Sequence, residues 1–176
     1  MPSAHAHLEL AIAGGAQIPL GGLLRALGPA TGGLRLRDSG ANLARTGLIA
    51  EGTLGYWQAK GTTPGVNATL DVVTRELVAD LAIGYRLRVA RAWRLDGLIA
   101  AGGIWYRREF SPPGFSGSEG TLAPVAGLRL RGVLAPGSWP VFVAPCIDGA
   151  LTWPTLAGRA HVSGQVALGL EVGLKP

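Results

Sequence analysis

GRAHVSGQVALGLEVGL, residues 158 to 174, is the stretch that fixes the fold. Ala160, Val162, Val166, Leu168, Leu170, Val172 and Leu174 share one parity, and Arg159, His161, Ser163, Gln165 and Glu171 share the other. Side chains of an extended chain point to opposite faces in turn, so a period of two held over some fifteen residues predicts a long strand with one apolar and one polar face. The other end of the chain repeats the pattern. Leu8, Leu10, Ile12, Ala16, Ile18 and Leu20 line one face, and His5, His7, Glu9 and Gln17 the opposite one.

Between these ends, Thr46 to Trp57, Arg75 to Val89, Trp93 to Arg108, Thr121 to Val133 and Pro140 to Trp153 alternate and are β-prone. Gly33 to Asp38 adds a short eighth candidate, ahead of the turn-forming Asp38-Ser39-Gly40-Ala41-Asn42. The chain of 176 residues suits one domain, residues 1 to 176. Its 28 glycines and 12 prolines are scattered among apolar segments, which fits turn-rich β structure rather than disorder. No apolar run reaches the roughly 20 residues a membrane helix needs. Met1 to Leu8 carries no basic region and Glu9 interrupts the only apolar run there, so no signal peptide is expected.

Strand parity leaves open which face is inside. The polar parity holds small residues, Ala82, Gly84, Ala100, Gly102, Gly127 and Gly169, which suit the crowded interior of an eight-stranded barrel. Lys60 and Lys175 are the only lysines, whereas a water-facing surface carries a mixed charged coat. Both observations put the apolar face outward, in lipid. The expected fold is therefore all-β: an eight-stranded antiparallel up-and-down transmembrane barrel. A soluble lipocalin-like ligand-binding barrel is the alternative.

With the N-terminus on the inner side, short turns fall at 38 to 42, 90 to 92 and 135 to 138. Gly21 to Gly32, Gln58 to Thr74 and Glu109 to Gly120 become outer loops, with a short outer connection at Pro154 to Ala157. Tyr56, Trp105 and Trp153 then form an outer aromatic girdle, and Tyr85, Trp93 and Trp139 an inner one. The same projection sends Glu9, Arg35, Arg94, Asp96, Arg129, Arg131 and Glu171 to the inner end of the lumen. It places Glu51, Asp80 and Asp148 in the middle, and Glu76, Arg108, Arg159 and His161 at the outer end. Arginine can hold a carboxylate by two parallel hydrogen bonds, which lets such charges share a narrow interior.

The segments LVADLAIGYRLRV (77 to 89) and HVSGQVALGLEVGL (161 to 174), with the strand number, loop asymmetry and girdles, resemble the small outer-membrane β-barrels, the class of the barrel domain of outer-membrane protein A. The resemblance implies residence in a bacterial outer membrane among its lipids. It also implies insertion by the outer-membrane assembly machinery, which reads a final strand ending in an aromatic residue. Here the strand ends Glu171-Val172-Gly173-Leu174, followed by Lys175-Pro176.

Other chemistry is sparse. His161-Val162-Ser163 with Glu171 offers a histidine, a hydroxyl and an acid, and resembles the His-x-Ser arrangement of outer-membrane lipid A deacylases. Glu171, however, lies about 27 Å along the strand from Ser163 at roughly 3.4 Å per residue, too far to orient the histidine. His5 and His7 lack a third ligand, so no metal or cofactor is expected. Cys146 is the single cysteine, which excludes an internal disulfide. Asn67-Ala68-Thr69 matches a glycosylation acceptor without meaning in most bacteria, and Gly14-Gly15 and Gly102-Gly103 read as strand bends. The net charge of +5 is spread at strand spacing rather than clustered, which argues against nucleic acid. The functional expectation is a barrel with a largely plugged polar lumen and a structural or loop-mediated recognition role, its loop partners open. A narrow channel for ions or small solutes is the alternative.

Overall fold

The computed structural model of the chain describes residues 9–20, 32–39, 47–64, 69–111, 117–156 and 159–174. Eight strands make the wall: β1 (Glu9–Pro19), β2 (Gly32–Ser39), β3 (Leu48–Pro64), β4 (Thr69–Arg88), β5 (Trp93–Ser111), β6 (Gly117–Leu134), β7 (Val141–Thr152) and β10 (Ser163–Leu174). Two short strands, β8 (Thr155–Leu156) and β9 (Arg159–Ala160), form a separate hairpin between β7 and β10. Every long strand runs antiparallel to its neighbour, and β1 pairs with β10 from Leu10↔Leu174 to Pro19↔Gln165, closing the barrel. Closure satisfies the strands' backbone hydrogen bonds within the wall, the condition for crossing a bilayer with β structure.

The alternation read from the sequence sets the two surfaces. Along β1, Leu10, Ile12, Ala16 and Ile18 are exposed while Ala11, Ala13 and Gln17 are buried. On the outer surface Leu81 and Leu122 are 75% and 74% exposed. An apolar belt running round the outside of a closed barrel, over a buried charged interior, belongs in hydrocarbon rather than water.

Two expectations about the ends of the strands need correction. Gln58 to Thr74 and Glu109 to Gly120 are mostly strand: β3 runs on to Pro64, β4 starts at Thr69, β5 runs to Ser111 and β6 starts at Gly117. Thr62, Val72, Val73 and Thr74 are β-branched and favour an extended chain, but outside the belt the outward face turns polar and the apolar alternation fades. The other correction concerns the final strand, which does not run unbroken from Gly158. It breaks at His161 and Val162, where the His161 amide bonds to the Pro154 carbonyl and folds the chain back. The outer connection thus spans 153 to 162 rather than Pro154 to Ala157.

The wall is uneven in height. β3 to β6 are 17, 20, 19 and 18 residues long, against 11, 8, 12 and 12 for β1, β2, β7 and β10. About 9–11 residues cross a membrane in a strand tilted by about 45°. The four tall strands therefore stand beyond the belt, on the side of the connections at 65–68 and 112–116.

The glycine pairs stand where neighbouring backbones crowd. A Cβ on Gly15 would lie 2.2 Å from the Leu168 carbonyl oxygen, and one on Gly102 would lie 2.1 Å from the Ala79 carbonyl oxygen. At both positions adjacent strands approach closely enough to demand glycine. The β6–β7 ladder lapses between Arg131↔Cys146 and Leu134↔Val143, where Pro145 has no amide hydrogen to donate. An apolar notch of about 730 Å³, lined by Tyr85, Leu95, Leu130 and Ile147 among others, opens on the barrel wall there.

Gly102→Val is expected to cost at least about 1–3 kcal/mol and to lower the yield of heat-modifiable, gel-shifted barrel in detergent. Gly149→Ala, whose added Cβ meets nothing within 4 Å, serves as the tolerated control in the same gel assay.

Candidate functional site

The inward positions of β3 to β7 and β10 meet in the lumen and fill it in layers. At its centre Arg129 of β6 reaches three other strands. Its Nε donates to Asp148 Oδ1 of β7 at 3.0 Å, and its Nη1 donates to Glu51 and to Thr53 Oγ1 of β3, the latter at 2.9 Å. Nη2 faces the Asp80 carboxylate of β4 at 3.2 and 3.4 Å. Two residues along, Arg131 donates to the other Glu51 oxygen at 2.7 Å and to Asp96 Oδ2 at 3.1 Å, with Glu171 at 3.6 Å. Asp96 also accepts a two-pronged bond from Arg86, both arms 2.9 Å long. Glu51, Asp96 and Arg131 are fully buried side chains, so each charge depends on its partners for compensation.

Apolar layers close both ends of this network. Toward the turn end, Ala11, Val133, Phe142 and Ala144 cluster, and the Arg94 guanidinium lies over the Phe142 ring, 5.4 Å from its centroid. Gly173 makes room there, because a Cβ would sit 2.3 Å from Phe142 Cζ. Toward the loop end, Val72, Ile104, Tyr106, Ala123 and Val125 pack together, Tyr106 shares a hydrogen bond with Thr152, and Gln17 donates to Glu76 at 3.2 Å. At the rim Arg108 pairs with Glu119 at 3.2 Å. A residual cavity of about 40 Å³, beside Gln17, Trp57, Asp80, Arg129 and Gln165, is room for one to a few waters.

Of the residues expected in the lumen, Glu51, Glu76, Asp96, Arg108, Arg129, Arg131, Asp148 and Glu171 are buried, and Asp80 and Arg94 are half-buried. Arg129, expected at the inner end, instead joins the central acids Glu51, Asp80 and Asp148. Arg159 is not lumenal: it lies exposed in β9, on the hairpin that interrupts the final strand. His161 is half-buried at the break and so is not held at the regular inward position expected of it. Glu9 and Arg35 belong to β1 and β2, but their side chains lie outside the described residues, as do His5, His7 and the acceptor motif at Asn67.

The sequence reading missed Arg86, although it shares the parity of Asp80 and Ala82 and stands opposite Asp96 in the β4–β5 register. It also left out the neutral polar members Thr53 and Thr152, whereas Gln17 and Gln165 are buried on the polar parity expected of them. Ser163 is buried in β10 with its carbonyl accepting from Thr152, while Glu171 sits at 3.6 Å from Arg131. Ser163 and Glu171, toward opposite ends of β10, are thus not brought together. Among the described residues no group of three or more metal-ligating side chains forms.

All six girdle aromatics face outward, from 40% exposed at Trp105 and Trp153 to 50% at Trp139. The register places Tyr56, Leu77, Trp105 and Leu122 in one outward row across β3 to β6. On β5, Trp93 and Trp105 are separated by about 40 Å of strand at roughly 3.4 Å per residue, or about 28 Å along the axis after a tilt of about 45°. That matches the roughly 25 Å apolar band of a membrane barrel.

A closed eight-stranded antiparallel barrel with a lipid-facing belt, two girdles and buried charges in its lumen is the fold of the small bacterial outer-membrane β-barrels. Solved structures bear this out. The chain is similar to a major outer membrane protein of Thermus thermophilus (TM-score 0.63, 11% identity, 97% of this chain and 99% of that one). It is similar also to Neisserial surface protein A (0.56, 14%, 97% of each chain) and to Ail, the attachment invasion locus protein of Yersinia pestis (0.55, 16%, 97% and 100%). No protein-family model and no curated protein matches the sequence.

Arg129→Ala would leave Glu51, Asp80 and Asp148 without their common counter-charge and is expected to destabilise the barrel by about 3–5 kcal/mol. Arg88→Ala, at an exposed position near the turn end, should stay within about 0.5 kcal/mol of the unaltered chain. Reversible urea unfolding in lipid vesicles, followed by tryptophan fluorescence, separates the two.

Proposed function

We propose that the protein is an outer-membrane barrel with a lumen closed to solutes, whose raised β3–β6 wall serves as a recognition or adhesive surface. The height of that wall carries the reading. On β4, Thr69 to Glu76 lie beyond the girdle row that contains Leu77, about 20 Å of axial rise at roughly 3.4 Å per residue and a tilt of about 45°. This is more sheet than spanning a bilayer requires. It is rigid, paired structure rather than loose loop, and rigid elements hold a binding surface in place at low ordering cost. The names of two of the similar proteins, a surface protein and an attachment invasion locus protein, accord with a surface role.

The packed lumen supports a structural interior rather than a path. The central ion pairs, the two apolar clusters and the small cavity beside Arg129 support this reading. The separation of Ser163 from Glu171 supports a non-enzymatic role. Recognition, expected of the outer loops, falls in this reading to a hairpin wall.

Folded protein reconstituted in planar bilayers is expected to show no conductance steps above background; regular single-channel steps would overturn the closed lumen. Replacing residues 61–72 and 109–118 by Asn-Gly turns should preserve the heat-modifiable barrel. The same change should abolish adhesion of displaying cells to surfaces coated with matrix protein or polysaccharide. Equal adhesion by the trimmed barrel would move recognition off the wall.

A further inference from the structure

The outward face of the tall wall carries an arrangement that strand pairing alone disfavours. Arg75 of β4 and Arg107 of β5 are direct cross-strand partners on that face. Like charges directly opposite destabilise a sheet. A single oxygen, Glu109 Oε1, serves both, at 2.5 Å from Arg75 Nη1 and 3.2 Å from Arg107 Nε. Lys60 is exposed on β3 in the same register row as Glu109, across Val73. Asp71, one row further out, is the remaining described acid of this face on β4 and β5. Three cations thus share two carboxylates among the described residues of this face. Arg75 and Arg107 keep 36% and 48% of their side-chain surface open despite the pairing.

Their depth is fixed by the girdle. The row Gln58, Arg75, Arg107, Gly120 lies immediately beyond the row Tyr56, Leu77, Trp105, Leu122. That is about 7 Å further along the strands and about 5 Å further along the axis. The two rows are joined by the Tyr56 hydroxyl, which donates to Gln58 Oε1 at 3.0 Å. Tyrosine and tryptophan mark the level where hydrocarbon gives way to headgroups. The two guanidiniums are therefore presented sideways, to lipid, at headgroup depth, whichever leaflet the tall end enters.

We infer that Arg75 and Arg107, with Lys60 beside them, form a binding site for the phosphate monoester of a membrane lipid headgroup. Two guanidiniums side by side offer several N–H donors to a doubly charged tetrahedral oxyanion. Glu109 is the internal stand-in for that anion: it holds the pair together when no phosphate is bound and competes with the phosphate when one is. The apolar belt beneath the row takes the acyl chains of the same lipid. The inference is independent of whether the wall recognises a macromolecule.

The test uses the full chain folded in non-ionic detergent, titrated with a diphosphorylated glycolipid of the lipid A type, with the same lipid dephosphorylated, and with inorganic phosphate. A change in tryptophan fluorescence, to which Trp105 beside the site contributes, reports binding. The phosphorylated lipid should bind, weaken as salt is raised, and lose about tenfold or more in affinity in the Arg75→Gln/Arg107→Gln double variant. Arg88→Gln, exposed near the turn end, should bind as the unaltered chain does. Glu109→Gln should bind about threefold or more tightly, a gain that misfolding does not produce. Equal binding of the dephosphorylated lipid, or a Glu109→Gln variant that binds no better, overturns the site. Binding of inorganic phosphate as tight as that of the lipid overturns its assignment to a headgroup.

Discussion

Burying an arginine in a space only a few side chains wide is the constraint on which the rest of this structure depends. Arg129 projects from β6 into the lumen and is met by Glu51 from β3, Asp80 from β4 and Asp148 from β7. Removing a guanidinium from water costs several kcal/mol, recovered only when good partners stand in its place. Here they come from three other strands, so the charge is compensated only if those strands are in register. Arg131 repeats the requirement with Glu51, Asp96 and Glu171, and adds β5 and β10. A slip of one residue in any of these strands would turn the partners outward, into hydrocarbon. The ion pairs thus act as a register lock more than as a source of net stability.

The outer surface obeys a simpler rule, and this explains what the sequence could and could not reveal. Within the belt every outward residue must be apolar, so Leu81, Ile83, Ile99 and Leu128 announce their strands by strict alternation, and the closed all-β barrel was legible from them. Beyond the girdle the outward residues become Gln58, Lys60, Arg75 and Arg107. The alternation between apolar and polar disappears, although the strand geometry does not. The sequence reading therefore ended β3 at Trp57 and began β6 at Thr121, and mistook the raised wall for loops. The same reasoning placed most lumenal acids and arginines on the inward parity. It did not reveal which acid meets which arginine, since that depends on strand tilt and on contacts across the lumen rather than along the chain.

The final strand shows the limit from the other side. Arg159 and His161 have the parity of Gln165 and Glu171, and parity alone carries them into the lumen. The break at His161 and Val162 follows from the chain turning back to Pro154, a contact between residues whose own periodicity gives no sign of it. Glycines were more readily read. Gly15 and Gly102 stand where adjacent backbones come too close for a Cβ, and a paired glycine in an otherwise apolar strand announces that place.

The seam that closes the barrel differs from the rest of the wall. The described inward side chains of β1 are Ala11, Ala13 and Gln17, small or neutral, with Gly15 between them, opposite Gly173, Glu171, Ala167 and Gly169 of β10 respectively. The ion pairs described in the lumen join β3 to β7 and β10, and β1 adds to them the Gln17 amide, which donates to Glu76. The six strands that neutralise the interior can consequently come into register as an open, curved sheet before the N-terminal strand zips the two ends together. Among the described residues of β1, the last step of assembly then moves methyl groups, glycine and one amide into the lumen. By the same token, parting this seam breaks none of the described lumenal ion pairs.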